Sequence, residues 1–344
     1  MTQRTVHRLA QTVTIVAFDT QLGSLHIIVS GLENERNLIE RSCCSKLVNH
    51  REIELDVVIS LIAHSTATLI EHHLAITLNI HKMGMRTGDN CRGGWPISVI
   101  SDKAVSLDVT RNYYNSLFVF EDCDNENFRN KRADILKMIL RSYARSISTE
   151  ASKQSIIDDV KQSNERTLDS KTFGDYIEAL QDLYIISDIE AWNPNIRSKT
   201  SIRTTPTRHF VDTSIACRAL NTFPKDLMND LESFGLFFED LAVRDLSIYA
   251  QAHGGEVRHY RDKNGLECDA ILHLEDGRWG AIEIKLGGDK LIEDGAKSLT
   301  ALKNKIEQQS REPAPSFLMI LTARGPLYQR EDGIYVVPIN SLKD

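Results

Sequence analysis

The sequence predicts an α/β chain, α+β overall, in which a mainly helical region precedes an α-β-β-β-α-β unit. Three observations predict it. Apolar residues recur at helical spacing through 131–147, 151–162 and 170–183. Two runs, 267–274 and 279–286, alternate sides with period two around the turn Glu275-Asp276-Gly277. A long apolar-striped segment, 226–252, precedes these runs, and a second, 290–307, follows them.

Composition bounds the classes. The 344 residues suffice for two or three domains, and 41% hydrophobic with 26% charged residues is ordinary for a globular chain. A formal net charge of −7 opposes nucleic acid globally, so any such binding needs a local basic patch. The six cysteines (43, 44, 91, 123, 217 and 268) form no C-x-x-C pair, which argues against a zinc ribbon or a disulfide framework. The expected location is the cytoplasm. No signal-like N-terminus and no bilayer-length apolar run is read, so no membrane partner is expected.

Residues 1–90 read as a divergent N-terminal segment. Its stretch 53–80 is apolar and β-branched, with His64, His72, His73 and His81 nearby. His72 and His73 are adjacent and point apart, so ordinary solvated or core histidines are expected there. Three glycines and a proline in Thr87–Pro96 mark a break, placing a domain boundary at 90/91.

Residues 91–222 form the helical region. After its three helices, Leu183–Trp192 alternates like a strand, and Thr207–Val211 reads as the returning strand. Three helices followed by a hairpin is the outline of a winged helix. The wing, 193–210, carries Arg197, Lys199, Arg203 and Arg208 and no acid, a set suited to phosphate contacts. The basic residues of 131–145 (Lys131, Arg132, Lys137, Arg141 and Arg145) are a second positive face. Solvated charge is the ordinary alternative for both.

Residues 225–344 form the last domain. The helix over 226–252 stops at His253-Gly-Gly255. Strands are expected at 256–260, 267–274, 279–286, 316–322 and 334–338. Glu283 and Lys285 are two apart on one strand face, and the tight turn returns Asp269 towards them. Carboxylates beside an ammonium suit Mg²⁺, a hard ion that takes oxygen ligands. Lys285 would orient or deprotonate an attacking water, or stabilise phosphorane charge. Arg261 is expected to pair with Asp262 or Glu267, and Trp95, Trp192 and Trp279 to pack.

The element order with Asp269 and Glu283-x-Lys285 resembles the PD-(D/E)XK nuclease superfamily. That resemblance implies catalytic roles for Asp269, Glu283 and Lys285. It adds Glu239, in Gly235-Leu-Phe-Phe-Glu-Asp240, to Asp269 and Glu283 as a metal ligand. More widely, Gly93-Gly-Trp-Pro96, Ala191-Trp192, the tract Phe238–Asp245, Tyr260-Arg-Asp262 and Ile282-Glu-Ile-Lys285 look like the C-terminal half of a prokaryotic AAA+-type ATPase family. There a P-loop ATPase precedes a winged helix and a nuclease-like domain of unassigned function. This sequence departs from the family in containing no Gly-Lys dipeptide, hence no loop of the G-x-x-x-x-G-K-[ST] type, so ATP is not expected as a cofactor. The function expected is Mg²⁺-dependent phosphodiester hydrolysis or DNA binding. The alternative is a catalytically silent DNA- or protein-interaction module.

Overall fold

The structure is a computed structural model. It describes residues 14–19, 24–29, 87–119, 131–164, 167–194, 205–309 and 312–342. The 53–80 stretch with its histidines, and Arg197, Lys199 and Arg203, lie outside the described residues. The chain divides into two compact units, Met1–Val58 and Ile59–Asp344. In the first, β1 (Thr14–Asp19) and β2 (Ser24–Val29) pair antiparallel. Everything below concerns the second.

The glycine-rich stretch expected as a loop is in part a short helix, α1 (Thr87–Arg92). Local preference is overridden by tertiary contacts. The Thr110 hydroxyl donates to the Arg92 carbonyl at 2.8 Å, and the buried Cys217 thiol donates to that of Asn90 at 3.6 Å. Gly93, at φ +75°, then turns the chain. A Cβ there would collide with Asp212, Ser214 and Trp95. Gly94 N donates to Asp212 Oδ2 at 2.8 Å, and Trp95 Nε1 to the Ser214 hydroxyl at 3.1 Å. Helices α2 (Pro96–Ile100) and α3 (Lys103–Ser116) follow.

The three expected helices are α4 (Ala133–Arg145), α5 (Lys153–Asn164) and α6 (Ser170–Asp182). Leu136, Ile139, Leu140 and Tyr143 of α4 are buried, which accounts for the apolar spacing. Asp169 caps α6 by accepting from Thr172 N. The hairpin forms, but as isolated bridges, Ile186↔Phe210 and Ile189↔Thr207, and not as continuous strands. Its first arm starts late because α6 runs to Asp182 and Tyr184 takes a left-handed φ of 53°. Helix α7 (Thr213–Leu220) follows, capped by Asp212.

The long helix is split. Asp230 interrupts it, ending α8 (Pro224–Asn229) and capping α9 (Leu231–Ala252) by accepting from Ser233 N at 3.0 Å. A short polar side chain that bonds the backbone competes with helix continuation, which periodicity alone does not register.

The sheet comprises β3 (Gly255–Arg261), β4 (Glu267–Leu274), β5 (Trp279–Lys285), β6 (Phe317–Thr322), β7 (Tyr328–Gln329) and β8 (Tyr335–Pro338). Their order is β3-β4-β5-β6-β8-β7. The β3/β4 and β4/β5 pairs are antiparallel, β5/β6 and β6/β8 parallel. Helix α10 (Asp289–Gln309) makes the crossover between the parallel strands β5 and β6. Its Ala296, Leu299, Leu302 and Ile306 share a core with Trp279, Ala281 and Ile320. Trp192 joins that core, its ring 4.7 Å from Trp279. Ala191 makes a parallel bridge to His259, with Trp192 N donating to the His259 carbonyl at 2.7 Å. The helical region is thereby continuous with the sheet edge. Among the described residues, no helix is long and apolar enough to cross a membrane.

Candidate functional site

The β4/β5 ladder runs from His273↔Trp279 to Ala270↔Ile282. Asp269 is the next residue along β4. Its Oδ2 accepts from Ile284 N at 2.7 Å, so the carboxylate takes a strand amide beyond the paired stretch. The same oxygen accepts from Lys285 Nζ at 2.9 Å. Lys285 Nζ also lies 2.6 Å from Glu283 Oε2. The structure thus brings together Asp269, Glu283 and Lys285, with the two acids sharing one ammonium. Glu283 is only 3% exposed, and its Oε1 is buried without a hydrogen-bond partner. Behind it stands α10, where a Cβ on Gly295 would come within 3.5 Å of the Glu283 Cβ.

The electrostatics follow from burial and like charge. Burial, then the Asp269 carboxylate, raise the Glu283 pKa to about 8 against the opposing pull of Lys285. Burial alone would lower Lys285, but Asp269 and then Glu283 outweigh it and hold the ammonium firmly protonated. Glu239, on α9, is pushed well above the carboxylate range by burial and by Asp269, with Lys285 opposing and Glu283 adding to the rise. The third acid therefore lies in the same field. Among the described residues, however, no group of three or more His, Cys, Asp or Glu side chains converges closely enough to hold a metal ion.

Of the basic residues placed in the wing, Arg208 is described, and the structure corrects its role. It is 4% exposed. Its guanidinium is taken by Asp188 and by the Ala151 carbonyl, the latter at 2.9 Å from Nε. It forms a buried ion pair with Asp188 across the bridged arms of the hairpin. Around α4, Arg132 pairs with Asp134 and Arg145 with Asp159, while Lys131 lies over the Tyr176 ring and Lys137 over Phe118. Arg261 pairs with Glu267 as expected, but Asp262 is taken by Lys305.

Sequence reasoning missed a second polar centre. Asp240 is fully buried beside Glu239, and its carboxylate accepts from Phe210 N (2.9 Å), His209 Nδ1 (3.1 Å) and the Thr213 hydroxyl (2.6 Å). One turn on, Arg244 Nη1 donates to Asp212 Oδ2 at 2.9 Å. The available signal was the 3.6 period, which puts Asp240 and Arg244 on one stripe of the helix.

Comparison with known proteins adds two matches. Residues 90–226 match the model of a domain of unknown function, DUF8612. Residues 234–342 match that of another domain of unknown function, DUF4143, which is often found in AAA-ATPase-associated proteins. No curated protein matches the chain.

Proposed function

We propose that the region from α9 to β8 is a nuclease-like domain of PD-(D/E)XK type that hydrolyses phosphodiesters at the Asp269/Glu283/Lys285 cleft with Mg²⁺ or Mn²⁺. One observation carries the reading. Asp269 and Glu283 converge on a single ammonium while Glu283 Oε1 stays buried and unpartnered. Two carboxyls and a field-linked third share one fixed cation, so ionising all three calls for a further positive charge, which protons supply in the cluster alone and a divalent cation would supply in their place. The donor set is all oxygen, as a hard ion requires. Asp269, Glu283 and Glu239 would hold it, with Glu239 drawn inwards. When bound, the cation supplies Lewis-acid polarisation of a phosphoryl oxygen and a more acidic water.

Lys285 then has a defined task. Its proton is held by two carboxylates, so it serves as a fixed positive charge beside the phosphoryl group and not as the base. Asp269 orients the strand end through the Ile284 amide and steers Lys285 at the same time. The three helices and bridged hairpin of 133–211 support a winged-helix module upstream, with DNA as its partner. The buried free thiols of Cys91, Cys217 and Cys268 suit a reducing cytoplasm.

A second reading has its own observation. Lys285 already bridges both acids, and no metal-holding group of three is formed among the described residues. On that reading the cleft is a closed ion-pair network inside a silent interaction module. Calorimetric titration with Mg²⁺ and Mn²⁺, on wild type and Glu283→Ala, separates the two when combined with a nicking assay on DNA and RNA. The nuclease reading expects millimolar or tighter binding that Glu283→Ala weakens, together with strand cleavage. Neither binding nor cleavage by wild type leaves the silent module.

A further inference from the structure

Helix α9 has two working faces. Glu239 lies within the electrostatic reach of Asp269, Lys285 and Glu283, while Leu236, Asp240 and Arg244, spaced by four, form one stripe turned to the helical region. Every member of that stripe is gripped by a polar group from 148–213. The Ser148 hydroxyl donates to the Leu236 carbonyl at 2.9 Å, from a residue held at φ 55°. Asp240 takes His209, Phe210 N and Thr213, and Arg244 takes Asp212. His209 is fixed in turn, its Nε2 lying 3.0 Å from the Thr207 hydroxyl on the returning arm of the hairpin.

Apolar packing resists separation but tolerates sliding and rotation. Three directed hydrogen bonds on one buried carboxylate do not. A helix of about 5–6 Å side-chain radius that rolls by ~20° moves a side-chain tip by about 2 Å, and a misplacement of about 1 Å at a reacting centre costs roughly 10²-fold in rate. Glu239 adjoins Asp240 in sequence, about 100° round the helix, so whatever sets the roll of α9 sets the distance of Glu239 from Asp269 and Glu283.

We propose that Asp240, held by Thr213, His209 and the Phe210 amide, is a positioning residue that sets the roll of α9 and thereby the distance of Glu239 from Asp269 and Glu283. This rests on reading the cleft as a divalent-cation site. It assigns residues 207–213, through Asp240, a part in the chemistry.

Thr213 is the place to test it, because it lies outside the acid cluster. Thr213→Val keeps the shape and loses the hydroxyl, whereas Thr213→Ser keeps the donor. Phe173→Leu, in α6, is a destabilising control that leaves the stripe alone. Mn²⁺ affinity of the full chain is measured by calorimetry. Thr213→Val is expected to weaken it at least fivefold, Thr213→Ser to stay within twofold of wild type, and Phe173→Leu to leave it unchanged. Equal affinity in Thr213→Val and wild type, or equal weakening by Phe173→Leu, overturns the link. If Thr213→Val does not fold, Asp240→Asn takes its place with the same two criteria. If wild type takes up no Mn²⁺, the cation reading fails by itself and the link is judged on α9. Amide exchange of Phe238–Leu241 is then expected to rise at least tenfold in Thr213→Val and not in Phe173→Leu, and no rise in Thr213→Val overturns the proposal.

Discussion

Lys285 and Glu283, two residues apart on β5, meet at 2.6 Å, and the same ammonium reaches Asp269 at 2.9 Å. Removing Lys285 leaves the part-buried Asp269 carboxylate without its partner cation, next to the buried Glu283 carboxyl. Breaking a buried pair by deleting one partner costs roughly 3–5 kcal/mol, so Lys285→Ala is expected to lower the denaturant midpoint well below that of wild type. On the nuclease reading, Mn²⁺ affinity holds or rises in this variant while strand cleavage falls to background. Weaker Mn²⁺ binding in Lys285→Ala would contradict the idea that the lysine and the cation compete for the same negative charge.

Two glycines give opposite expectations. Gly93 sits at φ +75° with no room for a Cβ, so Gly93→Ala is expected to cost at least about 1–3 kcal/mol. Gly235, inside α9, has nothing within 4 Å of an added Cβ, so Gly235→Ala is expected to stabilise by up to about 1 kcal/mol. Urea unfolding of both variants decides the pair. A neutral Gly93→Ala would mean that the Gly93–Trp95 turn is not held as described.

His259 supplies a pH dependence. Burial lowers its pKa to about 4, partly offset by the Thr205 carbonyl that its Nε2 faces, with His209 and Arg261 adding to the depression and Glu150 nearby. The unfolded chain therefore binds this proton more readily than the folded one. Stability from this group is present above about pH 6.5 and lost as pH falls through about 4. His259→Gln is expected to flatten the unfolding free energy between those values. An identical acid limb in wild type and variant would remove His259 as the cause.

With Arg208 committed to Asp188, only Arg197, Lys199 and Arg203 of the wing set remain for phosphate. Three cations release about three counterions, for a log–log salt slope near −3. Replacing all three by Ala is expected to flatten any measured DNA slope by about 2–3 units, and an unchanged slope moves the contact elsewhere.

How much of this was legible depended on the range of the cause. The β4/β5 hairpin was readable because alternation and the Glu275-Asp276-Gly277 turn are local, and with it came the meeting of Asp269, Glu283 and Lys285. The split at Asp230, the helix through Gly88 and the burial of Arg208 were not. Each is decided by a partner distant in sequence or by a side chain competing with the backbone. Asp240 was hidden for the same reason, since its three donors come from 209–213, about thirty residues away in the chain.

The bridge between Ala191 and His259 also protects the fold from its own kind. An outermost strand ordinarily offers a row of free amides and carbonyls on which another molecule's strand can grow. On β3 part of that row is already occupied from within the chain, by Glu190 and Trp192, and at the opposite margin β7 is only two residues long. The contact that joins helices to sheet at one border, and the shortness of β7 at the other, thus leave little template for edge-to-edge growth of copies.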